Sequence, residues 1–157
     1  MRKKRILFCG EATYLNTGYA TYGREVLRRL YQTEKYELAE FASYGLLKDA
    51  ISAGTPWKFY QNMPDQSDKA QVDEYNSIPT NQFGEWRFEQ VLLDFKPDIV
   101  FDIRDFWMLD YQQRSPYRDL FHWVIMPTVD AAPQNEQWLS TFANADGVFN
   151  YSDWGHE

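Results

Sequence analysis

Short apolar segments alternate with amphipathic segments along this chain, and the alternation restricts the fold more than any single residue does. Each apolar segment is about four to eight residues long, as is typical of strands that are covered on both faces. The segments predict strands at residues 5–10, 36–43, 57–60, 98–102, 121–126 and 148–151.

The amphipathic segments predict helices between these strands. Apolar residues with helical spacing predict a helix over residues 18–31, and similar stripes predict helices over 88–95 and near 138–145. The first stripe consists of Tyr19, Tyr22, Val26, Leu27 and Leu30. Strands that alternate with helices imply right-handed crossovers, so we predict a three-layer α/β sandwich with a mostly parallel sheet.

The chain has 157 residues, and no linker divides it. We predict a single domain over residues 1–157, with a surface excursion at 61–82, where polar residues and two prolines replace any periodic pattern. Residues 152–157 look like a helix cap followed by the first turn of a helix that the sequence does not continue. We therefore expect the chain to be truncated, the amino-terminal part of a longer protein.

Composition excludes several classes of function. The net charge of −7 argues against a nucleic-acid partner, because such binding depends on Lys and Arg at phosphates. Cys9 is the single cysteine, which excludes an intrachain disulfide and fits a reducing compartment. No apolar stretch approaches the roughly 20 residues of a membrane span, and the one behind the basic start is too short for a secretory signal. We predict a cytoplasmic protein.

Residues 2–29 form a basic surface, in contrast to the negative net charge of the whole chain. Arg24, Arg28 and Arg29 share the first predicted helix. Such a surface is compatible with a peripheral membrane contact, and a solvated helix face is the alternative interpretation.

The loops that follow the strands map the candidate site, because ligands of open parallel sheets bind beyond the carboxyl ends of the strands. In the first such loop, the substrate-binding candidates are Asn16, Thr17, Gly18 and Tyr19. Backbone N–H groups at a helix start suit a phosphate or a sugar hydroxyl, and a plain helix cap is the alternative. The loop has neither the G-x-G-x-x-G fingerprint nor a Walker sequence, which argues against a dehydrogenase or an NTPase.

The later loops supply acidic candidates. Asp102, Arg104 and Asp105 are predicted to contact substrate. Together with Asp110, the aspartates also suggest a carboxylate metal site. A solvated loop with an internal Arg–Asp pair is the commoner explanation for such residues, so we predict no metal. Asp130, between two prolines, is the catalytic candidate, with an ordinary turn residue as the alternative. His122 lies inside a predicted strand, so we interpret it as a core histidine.

Three segments carry a resemblance to a known family: RILFCGEATYLNTGYATYGREVLRRL at 5–30, FKPDIVFDIRD at 95–105, and VIMPTVDAAPQNEQWLSTFANADGVFNYSDWG at 124–155. They resemble the amino-terminal, acceptor-side, Rossmann-like domain of a GT-B glycosyltransferase, close to glycosyltransferase family 4. The last segment is the most specific, with its Pro and Asp turn, its helix, and its Ser-x-Trp-Gly ending.

The resemblance implies two Rossmann-like domains that transfer a sugar from a nucleotide-diphosphate sugar, the co-substrate, to an acceptor in the cleft between them. Transfer would be retaining and metal-independent, with no tightly bound cofactor. Residues 16–19 would face the donor diphosphate and the acceptor, and Asp130 would touch the reacting sugar. Many members have His-Asp at that point, whereas this chain has Val129-Asp130.

The family's donor-binding domain, with its Glu-x7-Glu motif, has no counterpart within these residues. We therefore expect negligible transferase activity from the chain alone. Its expected partners are a sugar or glycoconjugate acceptor and the missing carboxyl-terminal domain, and the exposed cleft face could support self-association. The alternatives are a stand-alone Rossmann-like binding module without transferase activity and a nucleotide-dependent oxidoreductase.

Overall fold

A six-stranded sheet runs through the protein, whose computed structural model describes residues 1–129 and 134–153. The strands are β1 (Lys4–Glu11), β2 (Tyr36–Ser43), β3 (Lys58–Gln61), β4 (Ile99–Asp102), β5 (His122–Ile125) and β6 (Gly147–Val148). Their order across the sheet is β3-β2-β1-β4-β5-β6, and every neighbouring pair is parallel. The predicted α/β class with a parallel sheet is confirmed.

Helices connect these strands on both faces of the sheet. They are α1 (Gly18–Gln32), α2 (Leu47–Ser52), α3 (Lys69–Ser77), α4 (Phe88–Phe95), α5 (Asp110–Gln113) and α6 (Glu136–Asn144). Short 3-10 helices occur at Pro79–Phe83, Phe106–Met108 and Arg118–Leu120. Helix α4 ends at Phe95 because Lys96 adopts a left-handed conformation (φ 53°) and Pro97 follows it.

The core has two parts, one on each face. Alternate residues of β1, such as Leu7 and Cys9, face α4 and α5, where they meet Phe88, Leu92 and Tyr111. The other face packs against α1, and its members include Ile6, Phe8 and Leu27. A strand buried on both faces has no polar alternation, which is why β1 reads as a continuous apolar run.

The polar segment at 61–82 contains α3 and a 3-10 helix. Helix α3 has no buried residue, so no apolar period marked it, although Asp68 caps it by accepting from the N–H groups of Ala70 and Gln71. One sequence prediction needs correction, because His122 is not a core histidine. His122 is exposed, because it is the first residue of β5 at the amino-terminal edge of the sheet. Within residues 1–129 and 134–153, no helix is long and apolar enough to cross a membrane.

The contact between β1 and α1 depends on two glycines that leave room for the ring of Phe8. A Cβ at Gly23 would lie 2.7 Å from Cζ of Phe8, and one at Gly10 would lie 2.8 Å from the same atom. Phe8 is 1% exposed, so its ring has no space into which to withdraw.

We expect Gly23→Ala to lower the free energy of unfolding by about 1–3 kcal/mol, because overpacking against Phe8 outweighs the better helix propensity of alanine. Gly18→Ala, on the same helix, is the matched control, since nothing lies within 4 Å of its added Cβ. Urea denaturation of both variants measures the difference. Equal stability of the two variants would contradict this packing account.

Candidate functional site

The candidate site lies at the carboxyl edge of the sheet, where the strand order reverses direction. From β1 the chain continues to β2 on one side, whereas β4 lies on the other side. Such a switch point leaves a crevice between the loops after the two strands, which is where ligands bind in open α/β sheets. In this protein the loops after β1, β4 and β5 surround the crevice.

The loop after β1 leads into the first turn of α1. Thr17 is the helix cap, because its Oγ1 accepts a hydrogen bond of 3.1 Å from the N–H of Ala20 and donates to Glu11. Asn16, Thr17 and Gly18 are exposed. The N–H groups of Gly18 and Tyr19 have no acceptor within the helix by geometry, and they lie at its positive end. The capping role of Thr17 and a role in anion binding are therefore compatible.

The hydroxyl of Tyr19 joins the three loops. It donates to Oδ1 of Asp105 at 2.8 Å and, since its one proton is used there, it accepts from Oγ1 of Thr128 at 2.6 Å. Burial, with the nearby Asp105 carboxylate, raises the pKa of the Tyr19 phenol. The phenol therefore remains protonated at neutral pH and can both donate and accept.

An open cavity of about 430 Å³ lies beside this cluster, lined by Gly18, Tyr19, Tyr22, Thr128 and Tyr151. The rings of Tyr22 and Tyr151 meet edge to face with centroids 5.1 Å apart. Both rings remain about 40% exposed. Exposed aromatic faces next to hydroxyl and carboxylate groups suit a ligand that has both apolar ring surfaces and hydroxyl groups.

Asp102 and Arg104 lie in the interior rather than on the crevice surface. Nε and Nη2 of Arg104 donate to Oδ1 of Asp102 at 3.1 and 2.8 Å, and Nη1 donates to the carbonyl of Phe83 at 2.6 Å. Gln112 and Trp123 donate to the two carboxylate oxygens of Asp102 at 2.9 and 3.1 Å. The predicted Arg–Asp pair exists, but the interpretation as a solvated loop is wrong, because α5 and β5 enclose it.

The electrostatics of this pair follow from its burial. Burial raises the pKa of the Asp102 carboxyl, whereas Arg104 and the donated hydrogen bonds oppose that rise. The guanidinium of Arg104 stays charged, so the Asp102 carboxylate is its counter-charge. Their polar atoms are engaged by protein partners, which gives the pair a positioning role for the loop that carries Asp105.

The other candidates from sequence are distributed differently. Asp130 lies outside the described residues. Asp110 pairs with Arg114 at 2.7 Å on the surface. Across residues 1–129 and 134–153, no three His, Cys, Asp or Glu side chains are grouped as metal ligands.

Sequence reasoning missed Tyr22, Thr128 and Tyr151 as residues of the crevice. Tyr22 belonged to a helical stripe and Tyr151 to a predicted strand, so both were assigned to packing. Thr128 lies in the loop after the predicted strand 121–126, which was the signal for it. For the two tyrosines the signal was the high aromatic content of 18%, which does not say where rings meet.

Comparisons with known proteins identify the fold. No family model matches this chain, and no curated protein matches it by sequence. Among solved structures, MurG from Acinetobacter baumannii matches 95% of this chain with a TM-score of 0.60 at 13% sequence identity, and the match covers 42% of the MurG chain. The likeness shows a Rossmann-like fold that corresponds to one half of a GT-B architecture.

We expect Asp102→Asn to lower the free energy of unfolding by about 3–5 kcal/mol, because it leaves the buried charge of Arg104 without a counter-charge. Asp110→Asn is the matched control, since an exposed pair contributes at most about 1 kcal/mol. Thermal and urea denaturation compare the two variants. A loss for Asp102→Asn no larger than that of the control would contradict the positioning role.

Proposed function

We propose that this chain is the acceptor-side domain of a glycosyltransferase that transfers a sugar from a nucleotide-diphosphate sugar to an acceptor. The observation that carries the proposal is the crevice whose surrounding loops are connected by the Tyr19 hydroxyl. The fold that holds this crevice matches MurG, a GT-B glycosyltransferase, over nearly the whole chain. The chain spans less than half of the MurG chain, so the donor half belongs to the proposal as well.

The crevice offers the groups that a sugar acceptor needs. The Asp105 carboxylate can accept from a sugar hydroxyl, and the hydroxyl groups of Tyr19 and Thr128 can donate or accept. The faces of Tyr22 and Tyr151 can pack against the apolar face of a sugar ring. A charged acceptor of hydrogen bonds beside aromatic rings therefore supports carbohydrate binding here.

The start of α1 supports the role proposed for the diphosphate. The N–H groups of Gly18 and Tyr19 form the positive end of a helix of 15 residues, which favours an anion at that position. In the proposed reaction, this helix end stabilises the negative charge that develops on the leaving diphosphate. We further propose a retaining, metal-independent transfer like that of glycosyltransferase family 4, with Asp130 near the reacting sugar.

The two alternatives have less support. A nucleotide-dependent oxidoreductase would need a phosphate-binding fingerprint, but Gly10, Gly18 and Gly23 have the wrong spacing for one. A stand-alone binding module would use the same crevice without a donor half. Cys9 is buried and unpaired, which is consistent with the cytoplasm as the proposed compartment.

We expect the chain of residues 1–157 to bind a sugar acceptor without turning over a nucleotide sugar. Saturation-transfer NMR with a panel of mono- and disaccharides measures binding, and release of nucleoside diphosphate from UDP- and GDP-sugars measures turnover. Tyr19→Phe removes the shared hydroxyl and should weaken sugar binding about threefold to tenfold. Tyr36→Phe, far away at the start of β2, is the matched control.

The outcomes separate the parts of the proposal. Turnover by this chain alone would contradict the need for a donor half. Sugar binding that Tyr19→Phe leaves unchanged would contradict the assignment of the crevice. The source gene, read past codon 157, distinguishes the transferase from the binding module: a continuing frame with a second βαβ pattern and Glu-x7-Glu supports the transferase.

A further inference from the structure

A second cleft lies along the flank of α1, away from the crevice. It is bounded on one side by α1 and on the other by the loop of residues 53–57 that leads into β3, and its volume of about 490 Å³ exceeds that of the crevice cavity. Its main polar and aromatic lining residues are Thr13, Tyr14, Arg24, Arg28, Tyr31 and Trp57. The volume falls within the range of small-molecule sites.

Arg24 brings a positive charge into this cleft that the protein does not neutralise directly. Its Nη1 donates to the carbonyls of Thr13 and Leu15 at 2.8 and 3.4 Å, and its Nη2 makes only a 3.4 Å contact with Thr21. Among the described residues, no carboxylate forms an ion pair with it. Since a guanidinium has five N–H groups, Nε and Nη2 retain donors for an anion.

Arg28 lies one turn further along the same face of α1. It is exposed and pairs with Glu25 at 2.6 Å. Like charges four residues apart destabilise a helix, so two arginines at this spacing favour an anion between them. Two guanidinium groups that line one cleft are a common arrangement for phosphate, which accepts bidentate hydrogen bonds.

The aromatic wall of the cleft, formed by Trp57 of the loop and Tyr31 of α1, is held in place. The indole N–H of Trp57 donates to the buried carboxylate of Glu40, which fixes the orientation of the ring. The ring of Tyr31 meets Trp57 edge to face, with centroids 6.0 Å apart. The hydroxyl of Tyr14 accepts from the N–H of Leu46 at 2.8 Å. A ligand ring would therefore meet a wall that is already ordered.

We infer that this cleft is a binding site for a small organic phosphate that carries a flat ring. Arg24 and Arg28 hold the phosphate, and Trp57 and Tyr31 contact the ring. The cleft is separate from the crevice, so this inference does not rest on the proposed function. It also gives two of the three arginines that the basic surface has on α1 a specific ligand instead of general contact with a membrane.

Isothermal titration of the full chain with AMP tests the inference, with adenosine and inorganic phosphate as the two fragments. AMP should bind more tightly than either fragment, because only AMP contacts both the arginines and the aromatic wall. Arg28→Glu should weaken AMP binding about tenfold or more. Arg29→Glu is the matched control: it makes the same charge change one residue along α1, at a position that does not line the cleft, and it should leave AMP binding within about twofold.

A second variant tests the aromatic end. Tyr31 is 46% exposed, so Tyr31→Ala should leave the fold intact while weakening AMP more than it weakens inorganic phosphate. Equal weakening by Arg28→Glu and Arg29→Glu, or AMP binding no tighter than phosphate, would overturn the inference. The inference would also be overturned if the chain did not bind AMP but bound phosphatidylglycerol vesicles through Arg28, since the basic surface would then be a membrane contact.

Discussion

The buried ion pair of Asp102 and Arg104 is the interaction on which the carboxyl edge of the sheet depends. Asp102 is the last residue of β4, and its carboxylate accepts from Trp123 of β5, from Gln112 of α5 and from Arg104. Arg104 in turn donates to the carbonyl of Phe83, which ties in the segment before α4. The ion pair therefore joins β4, β5, α5 and the segment before α4 at the switch point. Because the pair is desolvated, removal of either partner would leave the other as an unpaired buried charge. Structures in which the two residues do not meet are therefore strongly disfavoured.

Helix α1 links the fold to both candidate sites. Its inner face packs on the sheet through Leu27, and the ring of Phe8 approaches so closely that only glycine fits at position 23. Its first turn faces the crevice, and its flank presents Arg24 to the second cleft. A rigid helix thus holds two sites at a fixed separation. Each site takes its charge from a different source: the helix end in the crevice and arginine side chains in the cleft.

The sequence predicted the fold better than the site. The span of β2 was predicted to the residue from aromatic and apolar residues that alternate loosely with Glu37 and Glu40. Helix α3 escaped prediction, since it buries nothing and is marked only by its Asp68 cap. Asp102 and Arg104 were recognised as a pair but were assigned to a solvated loop, because charged residues in a loop give no sign of the Trp123 and α5 that enclose them. His122 was assigned to the core because a strand pattern does not show which residue stands at the sheet edge.

By itself, the sequence determined the alternation of strands and helices, and with it the parallel sheet and the edge at which the loops collect. Periodicity is a local property, so it can be read from neighbouring residues. Only the tertiary structure decided which side chains meet there. Tyr19 is 86 residues from Asp105 and 109 residues from Thr128, and their contact depends on the order of the strands across the sheet. The contact of Tyr22 with Tyr151 has the same origin, because no local pattern encodes a contact between a helix and a distant loop that the sheet brings together.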